Sequence, residues 1–171
     1  HITCGYHGKQ FDTYGRFKFM PKTEGMQNFP SEKDNLTQVA VAKWRQFIFS
    51  SLMPEFEFKE LIKDVEERVG WMPIEDFKYN QQLSRNYTVK ANWALYCDNY
   101  LEGFHIPFIH NDLNSVLDFE NYDVEVFKYS NLQVGIGRNN DICFDLPQYS
   151  QDYGKKIAAY YFWLFPNLML N

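Results

Sequence analysis

Residues 92–113, NWALYCDNYLEGFHIPFIHNDL, decide both the fold and the site that this sequence predicts. The apolar residues of this segment recur at spacings of three and four, which is typical of a helix with one face toward a core. The pattern predicts an amphipathic helix that starts at Asn92 and extends to His105. The residues of its apolar stripe are Trp93, Tyr96, Cys97, Tyr100, Leu101 and Phe104.

Two histidines, His105 and His110, lie at the end of this predicted helix with Pro107 between them. Proline disfavours the helical conformation at Ile106 and cannot continue the hydrogen-bond ladder, so the helix should bend or stop there. The break would free His110 to turn toward His105. Glu102 lies three residues before His105 on the same face, so we expect it to hold one nitrogen of that imidazole. Two imidazoles beside an acidic helix face predict a metal site. The alternative is that one or both are ordinary surface or core histidines.

The longer string NWxLxxDNYLEGFHIPFIH resembles the mononuclear-iron segment of Rieske non-haem iron oxygenases. In that family N-W-K, E/D-N-[FY]-x-[DE] and [YF]-H-x-P-x-x-H recur in this order. The resemblance implies that His105 and His110 bind a mononuclear Fe(II). It also implies that Glu102 links this iron to the Rieske histidine of a neighbouring subunit, and that Asn99 lies near the iron. The alternative for Glu102 and Asn99 is a solvent-facing position on the helix.

Iron(II) oxygenases commonly hold the metal with two histidines and one carboxylate. In the family that the motif resembles, the carboxylate is an aspartate well downstream, beyond residue 171. Asp112, Asp118 and Glu120 are local alternatives, although loop acids of this kind are usually solvated. We therefore expect the ligand set to be incomplete in this sequence.

A second motif lies near the N-terminus, where residues 2–11 read ITCGYHGKQF. Cys-x-x-His alone is a weak signal that fits a zinc site or no site at all. With Gly8 and Phe11 after it, the Cys4–His7 pair resembles the second loop of a Rieske domain. The resemblance implies that Cys4 and His7 bind different irons of a [2Fe-2S] cluster. The first pair of that family, Cys-x-His, does not occur in this sequence, so we expect an incomplete cluster.

Composition excludes several other classes of protein. The chain has 171 residues and a net charge of −5, without a basic cluster interleaved with aromatic residues, which argues against a nucleic-acid surface. The longest apolar stretch, residues 157–170, is interrupted by Pro166 and Asn167 and is too short to cross a membrane as a helix. Three widely spaced cysteines favour a reducing, cytoplasmic compartment. We also expect an internal fragment, because the chain starts without methionine and stops directly after an apolar strand.

The remaining pattern predicts an α+β fold in which helices pack on an antiparallel sheet. We predict short strands over residues 1–40 and 36–51, a helix over 57–69 that Gly70 ends, and later strands at 83–90, 123–129, 132–137, 142–146 and 157–165. The resemblance implies that residues 39–171 are the N-terminal part of a helix-grip-like catalytic domain. Residues 1–38 would then be the C-terminal part of a β-rich Rieske domain.

The resemblance also implies an activity. The family comprises mono- and dioxygenases that use a [2Fe-2S] cluster and mononuclear Fe(II) to activate dioxygen and to hydroxylate or demethylate a small organic substrate, often an aromatic ring. A reductase or ferredoxin would supply electrons, and a homotrimer is implied. Glu102, where ring-hydroxylating members usually have Asp, and residues 97–101 are similar to members that act on quaternary amines such as choline and carnitine.

Two other hypotheses stay open. One is a zinc-dependent enzyme that brings Cys4, His7, His105 and His110 together. The other is a non-catalytic ligand-binding domain of the helix-grip type, in which an aromatic-rich cavity holds an apolar ligand and the histidines are incidental.

Overall fold

The structure is a computed structural model that describes residues 1–140 and 142–171. The chain forms two compact units. One contains His1–Lys43 and Ile48–Pro54, and the other contains Trp44–Phe47 and Glu55–Asn171. Among the described residues, none of the helices combines the length and the apolar character that a membrane crossing needs.

The first unit consists of short antiparallel strands, as predicted. Strands β1 (Ile2–Thr3), β2 (Gln10–Phe11) and β3 (Phe17–Phe19) form one sheet in that order. Strands β4 (Ala40–Trp44) and β5 (Phe47–Ser51) form a two-stranded sheet, which confirms the strands predicted within residues 36–51.

The second unit is a four-stranded antiparallel sheet with helices on both faces. Its helices are α1 (Phe58–Val69), α2 (Trp93–Tyr100), α3 (Ile106–Ile109) and α4 (Asn111–Val116). Its strands are β6 (Asp123–Val126), β7 (Ser130–Ile136), β8 (Ile157–Leu164) and β9 (Leu168–Leu170), paired in that order. The predicted α+β class is confirmed, as are α1, which Gly70 follows, and the strands predicted near β6, β7 and β8.

One face of this sheet packs against α1. Leu132, Val134 and Phe162 point to this face and are at most 1% exposed. The hydroxyl of Ser130, on the same face, donates a hydrogen bond to Asp64 of α1 at 3.1 Å. Because side chains alternate along a strand, the residues between these positions point to the opposite face.

The opposite face carries Gln133 and Tyr161, which are register partners on β7 and β8. Helix α2 lies over this face, because Gln133 Nε2 donates a hydrogen bond to the carbonyl of Tyr100 at 2.5 Å. The thiol of Cys97 also donates to the carbonyl of Pro166 at 3.7 Å. The sheet thus separates α1 from the segment that carries the predicted metal ligands.

A buried ion pair fixes α1 to the loop before β8. Arg68 is 3% exposed, and its Nε donates to the carboxylate of Asp152, which is fully buried, at 2.5 Å. Burial alone would lower the pKa of Arg68, but the hydrogen bond to Glu125 and the charge of Asp152 outweigh it and raise that pKa. Burial likewise opposes ionisation of Asp152, and hydrogen bonds from Lys155 and Tyr160 keep its pKa below the usual value.

Two predicted strands are wrong. Residues 83–90 form no strand, and their apolar side chains Leu83, Tyr87 and Val89 are 77%, 84% and 63% exposed. Residues 142–146 begin in a 3₁₀ turn, and a single backbone hydrogen bond, from Phe144 to Ile157 at 2.8 Å, links them to β8. Pro147 lacks the N–H group that a longer ladder would need. Alternation of apolar residues is not enough for a strand without a neighbour that pairs with it.

Candidate metal centre

For the segment with the candidate ligands, the sequence predicts one helix that is broken at Pro107. The structure instead has two separate helices, α2 and α3, joined by a short loop. Helix α2 ends at Tyr100 rather than at His105, so the predicted break at Pro107 is wrong. The carboxylate of Glu102 accepts hydrogen bonds from the backbone N–H groups of Phe104 at 2.5 Å and His105 at 3.3 Å. These local bonds replace the helical ladder. Pro107 lies in the first turn of α3, where a missing N–H group loses no helical bond.

The predicted apolar stripe of this helix is only partly buried. Cys97 is 5% exposed, whereas Trp93, Tyr96 and Phe104 are 55%, 62% and 79% exposed. The helical spacing was therefore correct, but it did not identify a face that is fully covered in this structure.

Gly103 allows the tight turn between α2 and α3. A Cβ atom at this position would lie 3.1 Å from the ring of Phe119 and 3.3 Å from the ring of Tyr122. Both separations are closer than ordinary van der Waals contact between carbon atoms. A residue without a side chain thus lets the loop pack directly on the two rings.

His105 and His110 come together, as predicted. Their ring centroids are 5.1 Å apart, with an angle of 69° between the ring planes. His105 directly precedes α3, and His110 separates α3 from α4. Two imidazoles that each place a nitrogen about 2.1 Å from one metal ion have centroids about 5 Å apart. The observed separation fits a shared ion, and a single helical turn produces it.

Glu102 orients the first of these imidazoles. Its carboxylate forms a hydrogen bond with Nδ1 of His105. This hydrogen bond is the main reason why the pKa of Glu102 is lowered, while desolvation acts against it. An ionised carboxylate can only accept, so Nδ1 is the donor, and in a neutral imidazole the lone pair that can bind a metal is then on Nε2. This arrangement of carboxylate and histidine is typical of metal-binding imidazoles.

The imidazoles border a cavity of about 150 Å³. Asn99, Glu102, His105 and His110, the four residues that the sequence assigned to the iron centre, all line it. Its other walls come from α2, α3, α4, β7, β8, the residue before β6 and the residue after β9. They are Tyr100, Ile106, Leu113, Tyr122, Gln133, Tyr161 and Asn171.

A hydrogen-bonded network supports the floor of this cavity, and sequence reasoning missed it. Gln133 is 2% exposed; its amide donates to the Tyr100 carbonyl and accepts from the hydroxyl of Tyr122 at 3.0 Å. Burial raises the pKa of both Tyr100 and Tyr122, so their phenols stay neutral. The available signal was an amide side chain between Leu132 and Val134 in an apolar strand, because a buried polar group needs partners.

The local carboxylates do not complete a ligand set. Asp112 lies exposed in the first turn of α4, and Glu120 is also exposed. Asp118 accepts a hydrogen bond from the amide of Asn121 at 2.7 Å. Among the side chains that the structure describes, no three or more His, Cys, Asp or Glu residues are grouped so that they could hold a metal ion. This result gives no support for a third ligand from the local carboxylates.

Cys4 and His7 lie in the loop between β1 and β2, and both are exposed. The turn is closed by backbone hydrogen bonds from Gly8 to the Cys4 carbonyl at 2.9 Å and from Cys4 to the Lys9 carbonyl at 2.8 Å. Backbone N–H groups of Tyr6 and His7 lower the pKa of the Cys4 thiol. A thiol that ionises readily fits the role of a metal ligand, since the thiolate is the form that binds metal.

Comparison with known proteins gives consistent results. The sequence profile of the family "Ring hydroxylating alpha subunit (catalytic domain)" matches residues 69–171. The chloroplastic choline monooxygenase of Arabidopsis thaliana is 28% identical over 183 residues, which cover 99% of this chain and 42% of the relative. The carnitine monooxygenase oxygenase subunit of Escherichia coli K12 is 26% identical over 174 residues, which cover 99% of this chain and 44% of the relative. The chain thus spans less than half the length of these relatives.

Solved structures show the same fold. The quaternary ammonium Rieske monooxygenase CntA, crystallised with L-carnitine, matches with a TM-score of 0.70 and 20% identity over 98% of this chain and 42% of that one. Its complex with the inhibitor MMV12 matches with a TM-score of 0.72 and the same identity. The profile covers more than half of the chain, and the paired imidazoles lie within the matched region. The chain therefore belongs to the family of ring hydroxylating alpha subunits, whose catalytic-domain profile matches it over residues 69–171.

Proposed function

We propose that this chain is part of the oxygenase subunit of a Rieske-type monooxygenase that hydroxylates or demethylates a small quaternary amine with dioxygen. The family supports an oxygenase, and the names of the relatives, choline and carnitine monooxygenase, support the substrate class. Glu102 is in line with this class, because it stands where ring-hydroxylating members usually have Asp.

The observation that carries the proposal is the geometry of His105 and His110. Their separation of 5.1 Å suits two nitrogen ligands of one ion, and the carboxylate of Glu102 holds His105 with Nε2 available. Two neutral imidazole donors suit a ferrous ion, which generally takes a carboxylate as its third protein ligand. When bound, the iron supplies the position at which dioxygen is activated.

The chain's own groups have separate tasks in this proposal. His105 and His110 hold the ion, and Glu102 orients His105 and forms the polar link toward the electron donor. Asn99 borders the same cavity. The neutral phenols of Tyr100 and Tyr122 border the cavity, and their hydroxyls donate hydrogen bonds to the carbonyl of Phe162 at 3.2 Å and to Gln133 at 3.0 Å.

We further propose that Cys4 and His7 supply half of the ligands of a [2Fe-2S] cluster, with each residue on a different iron. Residues 1–38 would then be the end of a Rieske domain, and residues 39–171 the first part of the catalytic domain. An electron-donating reductase or ferredoxin, a homotrimeric assembly and a cytoplasmic location complete the proposal. The lowered pKa of Cys4 and the exposure of both side chains support a ligand role.

Iron analysis of the protein, expressed from its complete reading frame, tests the mononuclear site. His105→Ala and His110→Ala should each remove the mononuclear iron and leave the absorbance of the [2Fe-2S] cluster unchanged. His7→Ala is the matched control: it should remove the cluster absorbance and leave the mononuclear iron in place. Mononuclear iron that survives in both His105→Ala and His110→Ala would contradict the proposal.

Oxygen consumption with a reductase present tests the substrate class. Choline and L-carnitine should stimulate uptake and yield an oxidised or demethylated product, whereas toluene, an apolar ring without a cationic group, should not. Oxygen uptake with toluene but with neither amine would contradict the proposed quaternary amine and favour an aromatic substrate. It would not contradict the proposed iron site.

A further inference from the structure

The loop that carries Cys4 and His7 has few side-chain contacts of its own. The side chains of residues 1–7 are all exposed, and two backbone hydrogen bonds close the loop, from Gly8 to the carbonyl of Cys4 and from Cys4 to the carbonyl of Lys9. Lys9 lies two residues after His7, and its side chain is 26% exposed. It is the first side chain after the two candidate ligands that is partly buried, so its contacts attach the loop to the rest of the first unit.

The ammonium group of Lys9 has three aromatic rings and one carboxylate around it. Its Nζ lies 5.3 Å from the ring centroid of Phe17, 5.6 Å from that of Phe11 and 6.0 Å from that of Phe29. Separations up to about 6 Å allow attraction between a cation and the face of a ring. The same nitrogen donates a hydrogen bond to Oδ1 of Asp34 at 3.2 Å. We call Phe11, Phe17, Phe29 and Asp34 the ammonium cage.

The ammonium cage is itself held in place. Phe11 is 6% exposed, and the rings of Phe17 and Phe29 meet edge to face with their centroids 5.0 Å apart. Oδ2 of Asp34 accepts hydrogen bonds from the backbone N–H of Ser31 at 3.0 Å and from its hydroxyl at 3.1 Å. The backbone hydrogen bond is the main reason why the pKa of Asp34 is lowered, so this carboxylate is ionised at neutral pH. The cage is therefore a fixed partner for the Lys9 side chain.

The backbone of Lys9 connects the cage to the candidate ligands. Its carbonyl accepts the hydrogen bond from the N–H of Cys4 at 2.8 Å, while its side chain is bound by the cage. The backbone N–H groups of Tyr6 and His7 lie within hydrogen-bond reach of the Cys4 sulfur. Hydrogen bonds to the sulfur ligands tune the reduction potential of an iron–sulfur cluster. The positions of these N–H groups depend on the shape of the loop, and Lys9 fixes one end of it.

We propose that Lys9 is a positioning residue for the iron–sulfur ligands: its caged ammonium group holds the loop in the shape in which Cys4 and His7 bind a cluster. This inference rests on the proposed role of these two residues as cluster ligands. Lys9→Met removes the charge and the hydrogen-bond donor and keeps a long side chain. It should release the loop, because the side chains of both ligands are exposed.

Amide hydrogen exchange, measured by mass spectrometry on the protein expressed from its complete reading frame, tests the attachment of the loop. In Lys9→Met, peptides that contain residues 4–9 should exchange about three- to tenfold faster than in the natural protein. Lys9→Arg keeps a cation over the rings and should restore the natural rate. Phe29→Leu removes one ring and no charge, and it should speed exchange about twofold. Peptides that contain residues 17–19 should keep their rate, which shows that the sheet still folds.

The [2Fe-2S] cluster gives the second readout. In Lys9→Met, the electron paramagnetic resonance signal of the dithionite-reduced cluster should broaden, and EDTA should remove the cluster about tenfold faster. Lys9→Arg should match the natural protein in both. Lys18→Met is the matched control, because it removes the same charge from the same small sheet. Lys18 is 55% exposed and pairs only with Asp12, at 3.4 Å, outside the cage, so this variant should change neither the loop nor the cluster.

Three results would overturn the role of Lys9 alone. They are natural exchange rates in Lys9→Met, faster exchange with an unchanged cluster signal and cluster lifetime, and equal effects of Lys9→Met and Lys18→Met. If Lys9→Met does not fold, Phe29→Leu decides by the same two readouts, because it loosens the cage without removing a charge. A natural protein that carries no cluster would overturn the proposed ligands and this inference with them, so the two failures are distinguishable.

Discussion

Replacing Gln133 by leucine should both destabilise the protein and weaken iron binding at the proposed metal centre. Gln133 is 2% exposed and connects two elements around the metal centre through one amide group. Nε2 donates to the carbonyl of Tyr100 at the end of α2, and Oε1 accepts from the hydroxyl of Tyr122. Leucine has a similar volume but neither function, so both partners lose their hydrogen bond.

The magnitude follows from the number of groups left unpaired. A buried polar group without a partner costs about 1–3 kcal/mol. The Tyr100 carbonyl bears the full cost, whereas the Tyr122 hydroxyl is only partly buried and can turn toward the cavity. We therefore expect the free energy of unfolding to fall by about 2–4 kcal/mol. Glu102 follows Tyr100 by two residues, so a shift at the end of α2 should also lower the affinity for iron, by about tenfold.

Urea unfolding and iron titration measure the two effects. Gln133→Glu is the informative control, because it keeps the acceptor for Tyr122 and can donate to Tyr100 only when protonated. Burial raises the pKa of a carboxyl group, so the folded state of this variant binds the proton more tightly than the unfolded chain. Its stability should therefore rise relative to the natural protein as the pH falls from 7 toward about 4.3. The reasoning would be refuted if the free energy of unfolding of Gln133→Leu were within about 0.5 kcal/mol of that of the natural protein.

Three further predictions concern single positions. Glu102→Gln should lower iron affinity about 10- to 100-fold in a metal titration, because the imidazole of His105 loses its orienting carboxylate, whereas Glu120→Gln, at an exposed site, should not. Asp152→Asn should reduce the free energy of unfolding by about 3–5 kcal/mol at pH 7, because Arg68 keeps its charge in a buried position. Folding lowers the pKa of Asp152, so the contribution of its carboxylate to stability is present above about pH 3.9 and is lost as the pH falls through the folded pKa. The difference in free energy of unfolding between Asp152→Asn and the natural protein, measured by urea unfolding, should therefore become smaller in acid. Gly103→Ala should lower the free energy of unfolding by about 1–3 kcal/mol in the same assay, because its Cβ would meet the rings of Phe119 and Tyr122, and an unchanged value would show that the loop can move aside.

Elements that depend on local periodicity were predictable from the sequence. Helix α1 has a regular apolar stripe and a glycine directly after it, and it begins and ends close to the predicted residues. Strand β8 was also predicted, because a long aromatic run without a helical period fits a buried strand. The strand predicted at residues 83–90 failed because Leu83, Tyr87 and Val89 follow only a partial alternation, and because pairing depends on a neighbour that the local sequence does not specify.

The motif named four residues that the structure brings to one cavity, but it did not name the groups that support them. Asn99, Glu102, His105 and His110 lie within twelve residues, so one segment of sequence contains them all. Tyr122, Gln133 and Tyr161 come from distant parts of the chain and meet this segment only after the sheet has formed. Their positions depend on strand register, which a single sequence specifies weakly.

The contact between Glu102 and His105 shows how a correct prediction arose from a wrong geometry. A spacing of three residues places two side chains together on a helix, and the prediction assumed that helix. In the structure the helix has already ended, and the same carboxylate binds the N–H groups of Phe104 and His105 as well as the imidazole. The acid that ends α2 is therefore also the group that orients the first imidazole. A substitution at Glu102 thus changes the path of the backbone and the direction of the ring at the same time. Glu102→Asp separates the two effects: the shorter side chain can still accept from the backbone N–H groups in a local turn, but it reaches the ring less well. Its circular dichroism should match that of the natural protein while its iron affinity falls, and an equal loss of both would mean that the backbone turn, rather than the imidazole contact, depends on the length of this side chain.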